Sequence, residues 1–207
     1  QKCSRPLASG KAKVSVAIIF AIILFVTGLL IAYEINNTFF SILGLYFFLN
    51  LAYSFGLKHI PILDIFIIAI GFSLRIRSGG AIAHVSVTIW MNIMVFLLAL
   101  FMAAGKRRDD VLLTLSSGVN MRKAIEGYTL DFLNTLLSLI SAVMIISYFM
   151  YTVSDRVIER QGTNRLYLTS LFVMAGVMRY LQIIYVHSGA GSPTKILYKD
   201  RFIQVCI

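Results

Sequence analysis

Long apolar runs separated by short polar joints are the dominant pattern of this chain. Val14–Tyr33 holds no charge, and Val85–Ala104 holds none either, with His84 just before it. A helix rises 1.5 Å per residue and needs about 20 apolar residues to cross the hydrocarbon of a bilayer. The pattern predicts six such helices, at 14–33, 38–57, 60–76, 85–104, 130–153 and 166–186. The third has the shortest apolar core, bracketed by Asp64 and Arg75. No soluble segment, long linker or internal repeat interrupts the series, so the expected architecture is all-α, a polytopic transmembrane helix bundle forming one domain over 1–207.

Composition agrees. The chain is 58% hydrophobic and 14% charged, where a soluble domain is about 45–50% apolar and about 25% charged. The first apolar run is too long for a signal peptide and lacks a small-residue cleavage site. The sequence begins without methionine, and Arg201–Ile207 reads as the opening of a further span, so a fragment open at both ends is expected.

Charge gives the layout a direction. With the spans alternating, thirteen of the nineteen Lys and Arg residues fall on the side that holds the N-terminus, Lys58, the 105–129 loop and the tail, and five fall on the other. Excess Lys and Arg marks the cytoplasmic side. The net charge of +10 is then read as anchorage to anionic head groups or as a rim for a phosphorylated substrate, and not as a nucleic-acid surface.

Cys3 and Cys206 lie at opposite ends, and His59, His84 and His187 are far apart, which offers no metal-ligand spacing. The candidate chemistry is instead cationic. Lys2 and Arg5 lie beside Pro6 and a run of small residues before the first span, either gripping an anion or anchoring the chain. Tyr53, Ser54 and Lys58 close the second span, with Ser54 and Lys58 expected on one helical face and Lys58 the nearest partner for Asp64. Lys106, Arg107, Arg108, Asp109 and Asp110 follow the fourth span, where one helical turn presents cations to a phosphate with Asp110 orienting them; the alternative is a solvated, self-paired loop. Asp131, Asn134, Ser138 and Ser141 form a stripe on the fifth span that suits helix–helix contacts. Arg179 in the last span needs a partner inside the bundle.

These segments together resemble the UbiA-type prenyltransferases. Lys2-x-x-Arg5-Pro6-Leu7-Ala8-Ser9-Gly10 is similar to the stretch that follows that family's first aspartate motif. Tyr53 through Lys58, Gly71-Phe72-x-Leu74-Arg75 with Gly79-Gly80, Gly105-Lys106-Arg107-Arg108, Arg179-Tyr180 and Asp200-Arg201 follow in the order of the branch that acts on decaprenyl phosphate. The resemblance implies a membrane enzyme of about nine spans. It implies transfer of 5-phosphoribosyl from phosphoribosyl diphosphate to a polyprenyl phosphate, with Mg²⁺ assisting release of diphosphate. It places Lys2, Arg5, Tyr53, Lys58, Lys106 and Arg107 against the phosphate groups, and Asp110 falls where this branch has an acidic residue; Asp110 and the deep Asp64 are the candidate catalytic or orienting carboxylates.

Two departures from the family pattern qualify this. Where prenyltransferases carry a second Asp-x-x-x-Asp motif, residues 106–110 read Lys-Arg-Arg-Asp-Asp, which argues for a phosphoribosyl donor. The first aspartate motif is expected upstream of Gln1, so these 207 residues alone are expected to be inactive. The competing readings are a prenyltransferase with an aromatic acceptor and a non-catalytic transporter or scaffold.

Overall fold

The computed structural model describes residues 13–117, 125, 127–186, 196 and 198–206, with the backbone alone at Ser117. Among them every regular element is helical. Six helices are long and apolar enough to cross a membrane, and the protein is a polytopic transmembrane bundle.

Helix α1 (Val14–Ile35) and α2 (Asn37–Phe55) are joined by a single residue. Asn36 makes that joint because its backbone is extended while its side-chain oxygen accepts from Thr38 N–H at 2.7 Å, capping the new helix as the old one ends. Ala32 is the residue of α1 that is buried, and α2 buries none. Both helices are largely apolar, and little of either is buried among the described residues.

Helix α3 (Leu63–Ile82), α4 (Ile89–Ser117) and α5 (Leu130–Thr152) form the centre, with α4 packed between the other two. Small residues set this contact. Ala69 on α3 and Ala99, Ala103 and Ala104 on α4 are buried in the core with Leu137, Ile140 and Met144 of α5. In lipid there is little hydrophobic drive between helices, so close backbone approach at small residues supplies the packing. The short α6 (Asp155–Gln161) ends at Gly162, whose φ of 64° is the left-handed stop favoured by glycine. Then α7 (Thr169–Val186) packs on α5, and α8 (Arg201–Cys206) packs on α7.

The expected spans are all present, and α4 differs most from expectation. It runs on through Gly105, Lys106, Arg107 and Arg108 to residue 117, where a loop had been expected from residue 105. A 29-residue helix is about 43 Å long, more than the roughly 30 Å of hydrocarbon. The helix continues because its arginines find partners on neighbouring helices and do not need water. The third span is shifted too, from 60–76 to 63–82, because Pro61 and a turn at Ile62 delay its start.

Candidate active site at the basic end of the bundle

Alternating helices bring the start of α3, the far end of α4, the approach to α5 and the end of α7 to one end of the bundle. Asp64 is its centre. It sits in the first turn of α3 and is 0% exposed. A carboxylate that deep needs charged and hydrogen-bonding partners. One oxygen accepts from Arg107 Nε at 2.5 Å, and the other accepts from the Tyr128 hydroxyl at 2.6 Å. Arg107, 2% exposed, also donates from Nη1 to Asp110 at 2.9 Å. Tyr53, on the last turn of α2, lies close enough to interact electrostatically with Arg107.

The partner of Asp64 is thus a correction. Lys58 had been the nearest candidate by sequence. It is instead in a 3-10 turn, Leu57–His59, because α2 stops at Gly56. Ser54 and Lys58 therefore do not share a helical face. Arg107 reaches Asp64 from another helix and carries five N–H donors in a rigid planar fork, which suits a buried ion pair better than an ammonium.

Tyr128 ties this centre to the backbone. Its hydroxyl accepts from Ile62 N–H at 2.6 Å while donating to Asp64. Ile62 has φ 69°, a left-handed conformation that is costly for a β-branched residue. Such strain persists only where surrounding contacts hold it. Gly127 contributes a second contact there, since a Cβ at that position would stand 2.2 Å from Pro61 Cγ. Burial, reinforced by the bond to Asp64, raises the Tyr128 phenol above its ordinary range, so it remains a donor at any physiological pH. Tyr128→Phe strands Ile62 N–H and removes a donor from Asp64. Thermal unfolding in maltoside micelles should fall by about 1–3 kcal/mol; an unchanged midpoint would mean the turn holds itself.

Beside this network lies a second one. Arg108, 6% exposed, donates from Nε to Asn134 at 2.7 Å and from Nη1 to the Ile184 carbonyl at 2.8 Å, and lies over the Tyr185 ring. Tyr185 in turn donates to the Asn134 carbonyl at 2.8 Å. The polar stripe on α5 does act in helix–helix contact, through Asn134 and Ser138. Arg179 finds its partner in Asp200, at 2.9 Å. That bond, more than the burial opposing it, holds the Asp200 carboxyl below the usual carboxylate value of 3.8. A lowered folded pKa means the contact contributes in full above the unfolded value and fades as pH falls through the folded one. Amide exchange at 201–206 should therefore accelerate below about pH 4, and Asp200→Asn should abolish that dependence.

The cations left at the surface are fewer than the sequence implied. Lys106 is exposed on α4 and Lys58 is half-buried in its turn, both at this end. Arg107 faces inward on two carboxylates, and Asp110 is engaged by Arg107, not by Lys106. Lys2 and Arg5 lie outside the described residues. Sequence reading missed Tyr128 and the Arg108–Asn134 pair; Tyr128 directly precedes Thr129, the N-cap of α5, and that adjacency is its only local signal.

The described residues do not by themselves complete a site for a divalent cation. No group of three or more His, Cys, Asp or Glu side chains among them is placed to hold one. Asp64 and Asp110, the carboxylates at the centre, are both bonded to Arg107.

A bundle of antiparallel spans with a buried arginine–carboxylate network at a basic end defines the class, an integral membrane protein with a charged site at one end of its helices. The chain belongs to the UbiA prenyltransferase family, whose sequence profile matches residues 1–108. It is 31% identical over 208 residues to the decaprenyl-phosphate phosphoribosyltransferase of Mycolicibacterium smegmatis, covering 97% of this chain and 65% of that protein. It is 30% identical over 211 residues to the enzyme of the same name from Corynebacterium glutamicum, covering 97% of this chain and 61% of that protein. The chain thus spans somewhat less than two thirds of these relatives. Its fold is similar to that of a UbiA homolog from Archaeoglobus fulgidus bound to DMAPP and Mg²⁺, with a TM-score of 0.71 at 20% identity over 98% of this chain and 69% of that one. A Cd²⁺-bound structure of a UbiA homolog from that organism gives 0.70 at 22% identity over 99% of this chain and 74% of that one.

Proposed function

We propose that this chain forms the helical body of a membrane transferase that moves 5-phosphoribosyl from phosphoribosyl diphosphate to a polyprenyl phosphate. The observation that carries the reading is the likeness to the two phosphoribosyltransferases across 97% of the chain. Its Lys-Arg-Arg-Asp-Asp run at 106–110, in place of a second aspartate motif, fits a donor held by cations.

In the reaction a phosphate oxygen of the lipid attacks C1 of the ribose. The C1–O bond to diphosphate breaks, and diphosphate leaves with the electron pair. Lys106 and Lys58, with Lys2 and Arg5 of the N-terminal stretch, stand against the anionic groups and neutralise the charge that gathers on the leaving group. Tyr53 orients the donor beside them. Arg107 acts through position: fixed between Asp64 and Asp110, it holds the α3–α4 contact on which Lys106 is mounted. The Mg²⁺ requirement belongs to this proposal, supported by the family and by the A. fulgidus homolog bound to DMAPP and Mg²⁺. The bacterial plasma membrane, with the Asp64 end in the cytoplasm, is the proposed setting, supported by the bias of Lys and Arg to that end.

The test is transfer of ribose-labelled phosphoribosyl diphosphate into the butanol-extractable lipid of membranes that express the complete reading frame, with polyprenyl phosphate and Mg²⁺ supplied. Label in the lipid fraction that depends on added polyprenyl phosphate supports the reading. Label that stays in the aqueous phase, with transfer from a prenyl diphosphate instead, rejects it.

A further inference from the structure

At the end of the bundle opposite Asp64 lies a cavity of about 1140 Å³, walled by the end of α3, the start of α4, the end of α5 and α6. Three arginines line it, Arg75 from α3 and Arg156 and Arg160 from α6. Among the described residues no aspartate or glutamate does. Asp155 and Glu159, on the same short helix, are not in its walls. Arg156 and Arg160 are four apart and so share one face of α6.

The cavity is built, and not left over from loose packing. Arg75 is held in place by its Nη2 bond to the Tyr46 hydroxyl at 2.5 Å and by the Tyr46 and Phe72 rings, 5.2 and 5.1 Å from its guanidinium carbon. A guanidinium carries five N–H donors, and the bond to Tyr46 uses one of them. The wall formed by 85–88 folds back over α3 through Val85 N–H donating to the Gly80 carbonyl at 2.9 Å, with His84 at φ 53°. Gly80 permits this approach. A Cβ there would stand 2.5 Å from Val87 Cγ2 and 2.8 Å from the Val85 carbonyl oxygen. The lining also includes an apolar group, Val87, Met91 and Met94.

We infer that this cavity binds the phosphate head group of an anionic lipid, with the apolar wall receiving the first part of its chain. Guanidinium groups recognise phosphate through paired, charge-assisted hydrogen bonds. The position, where spans end and α6 lies between two of them, is the level of lipid head groups. A free phosphate would use the arginines and leave the apolar wall idle. The site is distinct from the basic end and does not depend on which donor is used there.

The experiment titrates the protein from its complete reading frame, purified in maltoside micelles, with phosphatidic acid carrying a fluorophore on its tail. The double variant Arg156→Gln/Arg160→Gln should bind about tenfold or more weakly, with helicity by circular dichroism unchanged. Arg156→Lys/Arg160→Lys should recover part of the affinity, and phosphatidylcholine should compete poorly. Should the double Gln variant lose helicity, Arg160→Gln alone on the exposed face of α6 carries the same comparison. Three results overturn the inference. One is equal affinity in the Gln variants. Another is loss on Lys58→Gln/Lys106→Gln in their place, which puts the lipid at the other end. The third is full displacement by an equal concentration of inorganic phosphate, which makes the site one for a free anion.

Discussion

Arg107→Ala is expected to be the most destabilising single change at the basic end, by about 3–5 kcal/mol. Asp64 would remain, 0% exposed, with its cation gone and, among the described residues, the Tyr128 hydroxyl alone bonded to it. Removing one partner of a buried ion pair costs far more than the pair itself contributes, because the remaining charge has neither water nor counter-ion. The double variant Asp64→Asn/Arg107→Met separates these effects. Asparagine still accepts from Tyr128 and methionine fills the space, so about 2 kcal/mol or more of the loss should return. Thermal unfolding in micelles reads both. Equal melting of Arg107→Ala and the parent would mean that the α3–α4 contact rests on Ala69, Ala99 and Ala103 alone.

Lys106→Ala is expected to do the reverse. Lys106 is exposed and adjoins the buried arginine along the same helix, so its removal should leave the melting midpoint within about 0.5 kcal/mol. Its ammonium is the cation of that turn that faces outward, which in the proposed reaction makes it available to the departing diphosphate. Loss of one such group typically lowers turnover about a hundredfold or more. The effect should fall mainly on kcat, because charge on the diphosphate grows as the C1–O bond breaks. Lys106→Arg should keep part of the rate. A Lys106→Ala enzyme with parental turnover would remove this residue from the site and return it to the role of a surface anchor.

The spans were legible because lipid demands long apolar helices, and nothing else in the sequence competes with that signal. Their ends were less so. A run of charge after Ala104 looks like the exit from a membrane, yet Arg107 and Arg108 continue the helix because Asp64 and Asn134 receive them. Those partners lie 43 and 26 residues away, and no local pattern announces them. Lys58 was matched to Asp64 on nearness in sequence, and Gly56 defeats that by ending α2 two residues earlier. Tyr128 was silent for a different reason. A tyrosine before an N-cap is unremarkable until Ile62 is seen in a conformation that needs its hydroxyl. At the other end, Arg75, Arg156 and Arg160 were counted as the minority of positive charge, and only the fold gathers them around one cavity.

The most direct test of the central claim gives the enzyme from its complete reading frame a choice of donors. Phosphoribosyl diphosphate and a prenyl diphosphate are supplied together at equal concentration, with polyprenyl phosphate and Mg²⁺, and the lipid products are identified by mass spectrometry. The account predicts a polyprenyl phosphate that has gained one phosphoribosyl unit, formed far more slowly by Lys106→Ala. A product that carries a prenyl group, with phosphoribosyl diphosphate untouched, would contradict it.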